Sequence, residues 1–392
     1  MTFSSITFGG LAVLSILTWL VLFFAWGNFW RVWEVDSDHA QLPGPPKWPR
    51  VTAVIPARNE AASIAEVVRA LALQDYAGEF SAIVVDDHSD DGTADLARSV
   101  AVEAGAAGKV AILSAPQLAP GWTGKLWALN AGVARAATFG PDYFWFTDAD
   151  VVHAPDTLRR LVSRAETDKL DLTSLMVLLK AKTFSERMLI PPFLYFFLML
   201  YPPKWIANRN SRTAGAAGGC ILLRASALER IRGLSALRGE IIDDCALART
   251  VKRSGGNIWM GLTRSSHSLR SYKTLSEIRD MIARTAFTQL RYSALLLLGT
   301  LIGLALTFLS PVALTFSPNP HVWPCALAAW CLMTASFLPT LTYYRLQAIW
   351  APLLALAALF YAYATSLSAV RYWLGRGGQW KGRAQANRKA SS

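Results

Sequence analysis

Apolar and polar positions divide the chain into three regimes. Residues 8–30 carry no charged side chain, and a run of about 20 such residues is enough to cross a bilayer. From residue 51 short apolar runs alternate with amphipathic stretches. This predicts strands over 51–55, 81–85, 110–113 and 143–147, and helices over 61–73, 93–104 and 125–137. Such alternation implies an α/β domain with a mostly parallel sheet, helices on both faces and ligands at the carboxyl ends of the strands. Three further apolar stretches, 294–316, 322–344 and 349–370, follow it. The expected organisation is an anchor over 1–30, a linker over 31–50, a folded domain over 51–292, membrane segments over 293–370 and a tail over 371–392. Leu42-Pro43-Gly44-Pro45-Pro46 makes the linker a stiff spacer.

Charge refines the membrane reading. Residues 1–7 contain no Lys or Arg, so the basic start of a cleaved signal is missing and a retained anchor is expected. Arg31 is the first basic residue, and the positive-inside bias places the N-terminus outside and the following domain in the cytoplasm. The tail carries Arg371, Arg376, Lys381, Arg383, Arg388 and Lys389 with no acid. That tail also belongs in the cytoplasm, yet three complete spans after the domain would put it outside. One stretch is therefore re-entrant or interfacial, or the tail breaks the rule. Residues 188–205 are apolar, aromatic and interrupted by two proline pairs. With basic flanks at Lys180, Lys182, Arg187, Lys204 and Arg209, they are expected in the membrane interface rather than in the core.

Composition agrees with a membrane protein: 53% of residues are hydrophobic and the mean hydropathy is +0.29. The net charge of +12 comes without any known nucleic-acid-binding motif, so no nucleic-acid partner is expected. Anionic lipid and a phosphorylated substrate explain it better. The four cysteines show no CxxC spacing, which argues against a zinc site or a disulfide framework.

The candidate chemistry clusters at the ends of the predicted strands. Asp148-Ala149-Asp150 closes the fourth strand. Two carboxylates so close suit a hard divalent cation such as Mg²⁺ or Mn²⁺ completed by substrate phosphates. The alternative is an ordinary strand-to-helix turn in which Asp150 or Asp156 caps a helix after Pro155. Pro56-Ala57-Arg58-Asn59-Glu60 follows the first strand, and the second is followed by the stretch from Asp86 to Thr93, where Ser89 or Asp91 suits an N-cap. Gly121-Trp122-Thr123-Gly124-Lys125 precedes a helix. Converging on one sheet edge, these loops suit a nucleotide site.

Arg58, Glu60, Asp86, Asp87 and the Asp148-Ala149-Asp150 triplet, in this order and spacing, resemble the motif series of family 2 glycosyltransferases over residues 51–292. The resemblance implies the GT-A fold, a nucleotide-diphospho-sugar transferase sheet. It assigns Asp86 or Asp87 to the nucleotide base, Glu60 to the ribose, Lys125 to the diphosphate, and Asp148 and Asp150 to the metal. Asp243-Asp244 stands where the family usually has Glu-Asp, which makes Asp244 the base that deprotonates the acceptor, with Asp243 beside the substrate. Gln289-Leu290-Arg291-Tyr292 resembles the family's Gln-x-x-Arg-Trp, with Tyr for Trp. It implies Gln289 and Arg291 at the departing diphosphate and the ring of Tyr292 against the acceptor. His267 is a possible third metal ligand or a structural histidine. Gly215 to Gly219 allows close approach of backbone to a substrate.

Taken together, the expectation is a membrane-bound, metal-dependent inverting glycosyltransferase of the inner (plasma) membrane. Its cytoplasmic domain would move a sugar from a nucleotide-diphosphate donor to a lipid acceptor. The plan of one anchor, this domain and an apolar C-terminal block looks most like the hopene-associated glycosyltransferases, which implies a hopanoid or other isoprenoid acceptor. A processive polysaccharide synthase and a non-catalytic nucleotide-binding membrane scaffold are the alternatives.

Overall fold

The computed structural model describes residues 3–32, 35–36, 42–375, 379–380 and 383–384. Of the basic tail, Arg376, Lys381, Arg388 and Lys389 lie outside the described residues. The chain forms two compact units. One comprises Met1–Trp33, Ala181–Lys204 and Tyr272–Gly377, and the other Glu34–Lys180, Trp205–Ser271 and Gly378–Ser392. The stretch expected as a single domain over 51–292 thus gives 181–204 and 272–292 to the first unit.

The second unit is built on an eight-stranded sheet. Its strands are β1 (Val51–Ala57), β2 (Phe80–Asp86), β3 (Val110–Ser114), β4 (Tyr143–Thr147), β5 (Val151–His153), β6 (Leu172–Leu178), β7 (Cys220–Arg224) and β8 (Ile258–Ser268). They lie in the order β3-β2-β1-β4-β7-β6-β8-β5. All seven residues of β1 are buried, as expected for a strand covered on both faces. Val51, Ala53, Ile55 and Ala57 pack with Ile64, Val67 and Val68 of the helix Ile64–Ala72. Val54, on the opposite face, meets the helix Gly124–Ala137 so closely that a Cβ at Gly132 would stand 2.3 Å from its Cγ1.

The sheet is mixed rather than mostly parallel throughout. β3, β2, β1 and β4 run parallel. β7 is inserted antiparallel between β4 and β6, and β5 runs antiparallel to β8. This reversal positions the site. With Thr147 paired to Cys220, the start of β7 lies beside the end of β4, so Gly218 and Gly219 reach the same sheet edge as Asp148. Part of the linker is also built into this unit. Val35 bridges in parallel to Leu262, and the buried Asp36 pairs with Arg160 at 3.0 Å.

The first unit is helical. Among the described residues four stretches are long and apolar enough to cross a membrane: Thr7–Phe24, Ala294–Thr315, Trp323–Tyr343 and Ala348–Trp373. The second contains a π turn over Ala305–Leu309, and its cause is Pro311. Having no N–H, Pro311 leaves the carbonyl of Thr307 without its helical donor. The indole of Trp19 supplies one, donating to Thr307 O at 2.7 Å. The helix Phe184–Leu200 contains Pro191 and Pro192, and its first turn is closed by a capping box between Thr183 and Glu186. Residues 188–205 were expected in the interface rather than the core. Within this unit, however, Leu189, Ile190, Leu194 and Tyr195 are buried. Tyr195 Oη lies 2.6 Å from Ser336 Oγ, and Tyr361 Oη donates to Leu189 O at 2.9 Å. Burying this helix among apolar helices satisfies its polar groups internally, which basic flanks alone could not reveal.

Candidate active site

The carboxyl ends of β1, β2 and β4 carry the site. After β1, Asn59 adopts φ 51° and lets the loop fold back over the end of β2. Arg58 Nη1 donates to Asp87 O and stands 3.8 Å from Asp87 Oδ2. Ser89 Oγ accepts from Asn59 N at 2.9 Å, Asp91 Oδ2 from Ala61 N at 3.0 Å and Thr93 Oγ1 from Glu60 N at 2.8 Å. Ser89 and Asp91 therefore tie two loops together, while Gly92 is the N-cap of the helix Thr93–Glu103. Asp87 is fully buried and Asp86 nearly so. Asp86 Oδ2 accepts from Ser89 N at 3.2 Å, but its buried Oδ1 has no partner among the described residues. Native structures rarely leave a buried carboxylate oxygen without a donor, so this atom is free to accept from a water or a ligand N–H or O–H.

Lys125, in the first turn of the helix Gly124–Ala137, places Nζ 2.7 Å from Asp148 Oδ1. Burial opposes its charge, but the carboxylates of Asp148, Asp243 and Asp244 outweigh burial and hold the ammonium well above its ordinary value. Asp150 is pushed up to about 6, first by burial and then by the charges of Asp148 and Glu60; Arg270 and Ser268 Oγ oppose this. It does not cap the next helix, whose N-cap is Asp156.

Asp243 and Asp244 open the helix Asp243–Arg253, where its dipole favours carboxylates. Asp244 Oδ1 accepts from Cys245 N at 2.7 Å, and Oδ2 from Gly218 N at 2.9 Å. Burial, then the charge of Asp243, raises the Asp244 carboxyl to about 6, with Lys125 opposing. Gly218 fits closely between these groups: a Cβ there would lie 3.3 Å from both Asp244 Oδ2 and Lys125 Nζ. Lys125, Asp148, Gly218, Asp243 and Asp244 line a cavity of about 370 Å³, counting space open to solvent, over a floor that includes Phe146, Leu234 and Leu247.

One buried histidine in this region gave no sequence signal. His153 contacts Thr147 Oγ1 through Nε2 at 2.7 Å and Ser266 Oγ through Nδ1 at 2.8 Å. Burial, then His267, lowers it to about 3, so it stays neutral and structural. His267 sits in β8 opposite Val152. Among the described residues no group of three or more His, Cys, Asp or Glu is arranged to hold a metal. Gln289, Arg291 and Tyr292 belong to the helical unit. There Gln289 Nε2 donates to Tyr201 Oη at 2.5 Å, and the ring of Tyr292 stacks on Tyr372 at 4.3 Å. Arg291 and Tyr292 hold φ 51° and 58°, a left-handed conformation uncommon outside glycine.

Residues 49–286 match the family model described as glycosyltransferase like family 2. The chain belongs to this family. The match takes in every site loop of the sheet unit and ends before Gln289. A mannosyltransferase from Pyrobaculum calidifontis, solved with GDP-Man and Mn²⁺, is 17% identical over 93% of this chain and 99% of its own, with a TM-score of 0.53. Glucosyl-3-phosphoglycerate synthase from Mycobacterium tuberculosis, solved with Mg²⁺ and UDP, is 20% identical over 62% of this chain and 79% of its own, with a TM-score of 0.41. No curated protein matches the chain in sequence. The mixed sheet of this family 2 glycosyltransferase is accordingly GT-A-like, and it is joined in one chain to four apolar helices.

Proposed function

We propose that this glycosyltransferase moves a sugar, with inversion, from a nucleotide-diphosphate donor to a hydroxyl of a membrane lipid at the cytoplasmic face of the inner membrane. The observation that carries the reading is Asp244. It is a half-buried carboxylate raised to about 6 by its surroundings, oriented by two backbone N–H groups and sharing a cavity with Lys125. Such a group is ionised at neutral pH yet basic enough to take a proton from a hydroxyl.

In this reading the free Oδ1 of Asp86 accepts from the nucleotide base, with Asp87 and Arg58 shaping that pocket, and Glu60 serves the ribose. Lys125 offers its charge to the diphosphate. Asp148 and Asp150 fit a divalent cation: burial, then the charges of Asp148 and Glu60, raises Asp150, and a cation there would relieve that repulsion. With two carboxylates and, among the described residues, no larger protein cluster, the donor's phosphates would complete the coordination. Bound there, Mg²⁺ or Mn²⁺ would supply positive charge to the diphosphate. Asp244 takes the acceptor proton as the acceptor oxygen bonds to the anomeric carbon, and the bond from that carbon to the diphosphate oxygen breaks on the opposite side. Asp243 helps to orient the acceptor. The roles of Gln289, Arg291 and Tyr292 at the leaving group and acceptor rest on sequence likeness alone. The four apolar helices support a lipid acceptor, and the narrower resemblance favours an isoprenoid or hopanoid.

Membranes containing the protein, given a panel of radiolabelled nucleotide sugars, test this. One donor is expected to label the lipid extract, Asp244→Asn to lower labelling by at least about a hundredfold, and the labelled lipid to be isoprenoid. Label in a long polymer would favour a polysaccharide synthase, and nucleotide binding without transfer would favour a scaffold. Either result, or no label from any donor, would overturn the reading.

A further inference from the structure

The helix that bears Asp244 grips one segment of chain at both of its ends. At its first turn, Asp244 Oδ2 accepts from Gly218 N at 2.9 Å and the Cys245 thiol donates to Ala216 O at 3.6 Å. At its last turn, Lys252 Nζ donates to three carbonyls of the same segment: Trp205 at 3.0 Å, Ile206 at 2.7 Å and Thr213 at 2.7 Å. At the first of these points Ser174 Oγ also accepts from Ala217 N, at 2.9 Å. An ammonium has three protons to donate, and here all three are engaged. The helix dipole explains a lysine at this end. It does not explain an ammonium gathering three carbonyls from a segment far away in sequence, two of them at the end of the short helix Pro203–Ala207.

Lys252 lies eight positions after Asp244, which is about 12 Å along a helix. Lys252 therefore does not meet the reacting atoms. We propose that Lys252 is a positioning residue: by gathering these three carbonyls it fixes the path of residues 205–219 and so keeps the Gly218 N–H on the Asp244 carboxylate. That hydrogen bond favours the ionised base and sets its orientation. Gly218 suits the task because any larger residue would press on both Asp244 and Lys125. This inference rests on Asp244 being the base.

Two readouts separate the clamp from the reaction. The first is hydrogen–deuterium exchange of the peptide spanning 214–220 in the full-length detergent-solubilised protein. It is expected to quicken at least about tenfold in Lys252→Met and to return towards wild type in Lys252→Arg, whose guanidinium has five N–H donors. The second is lipid labelling with the donor found above. Lys252→Met is expected to lower kcat by about ten- to a hundredfold with the donor KM unchanged and the acidic limb of the rate profile moved to higher pH. Should Lys252→Met fold poorly, Lys252→Gln, which keeps a donor, is expected to show a smaller change in the same direction. Unchanged exchange would overturn the clamp, and quickened exchange with unchanged kcat would overturn its catalytic role. If the wild type labels no lipid, the functional reading fails while exchange still decides the clamp.

Discussion

Burial acts in opposite senses on acids and imidazoles, and this chain shows both. It lowers His153 to about 3 and keeps that ring neutral, whereas it raises Asp244 to about 6. A base must be ionised to work, so turnover should fall as pH drops through about 6, where Asp244 takes up its proton. The neighbouring charge of Asp243 is the second cause of that rise. Asp243→Asn removes the repulsion, makes the Asp244 carboxyl more acidic and should move the limb to lower pH. Measuring kcat against pH at saturating donor checks both points. A wild-type limb near pH 4, or a shift to higher pH in Asp243→Asn, would remove Asp244 as the titrating base.

At the scale of elements, the parallel half of the sheet was legible because each strand announces itself twice, by an apolar run and by the polar loop that ends it. β1, expected over 51–55, spans Val51–Ala57, and β4 spans Tyr143–Thr147 as expected. Asp86, Asp87, Lys125 and Asp148 could be placed at one edge on that basis. β6 and β7 were not foreseen, because residues 181–204 between them belong to the helical unit and because a period of two does not reveal strand direction. The bond from Gly218 to Asp244 depends on β7 being reversed, so only the glycine-rich stretch hinted at it. The tie at the π turn was equally hidden, since the donor to Thr307 O is a tryptophan 288 residues away in sequence. Trp19→Phe removes the indole donor from Thr307 O, an interhelical hydrogen bond of the kind that contributes about 0.6–2 kcal/mol in membrane proteins. Thermal unfolding in detergent should show a lower midpoint for Trp19→Phe. Pro311→Ala restores an N–H to the helix, so the same substitution should cost less in that background. Equal costs in both backgrounds would dissociate Trp19 from the proline.

For the whole molecule, the open matter is the number of crossings. Three spans after the domain would carry the chain's end to the face opposite residues 49–286, against the pull of a tail rich in Lys and Arg. Contacts within the helical unit favour the tail. Arg371, at the end of the last apolar helix, pairs with Asp280 at 2.8 Å. Ser368 Oγ accepts from Phe287 N at 3.1 Å and donates to Ala283 O at 2.5 Å. Residues 272–293 precede the first of the three spans, with no apolar helix between them and the family-matched stretch. Within the helical unit they hold the end of the last helix beside them. The three apolar helices after residue 293 should therefore cross an even number of times. Epitope tags after Ser392, in the loop at Gly105 and in the loop at His321, probed with an impermeant label in sealed vesicles of known orientation, test this. The first two tags should be labelled from the same face and the third from the opposite one. A C-terminal tag labelled from the face opposite the Gly105 tag would show an odd number of crossings, with the tail exported despite its charge.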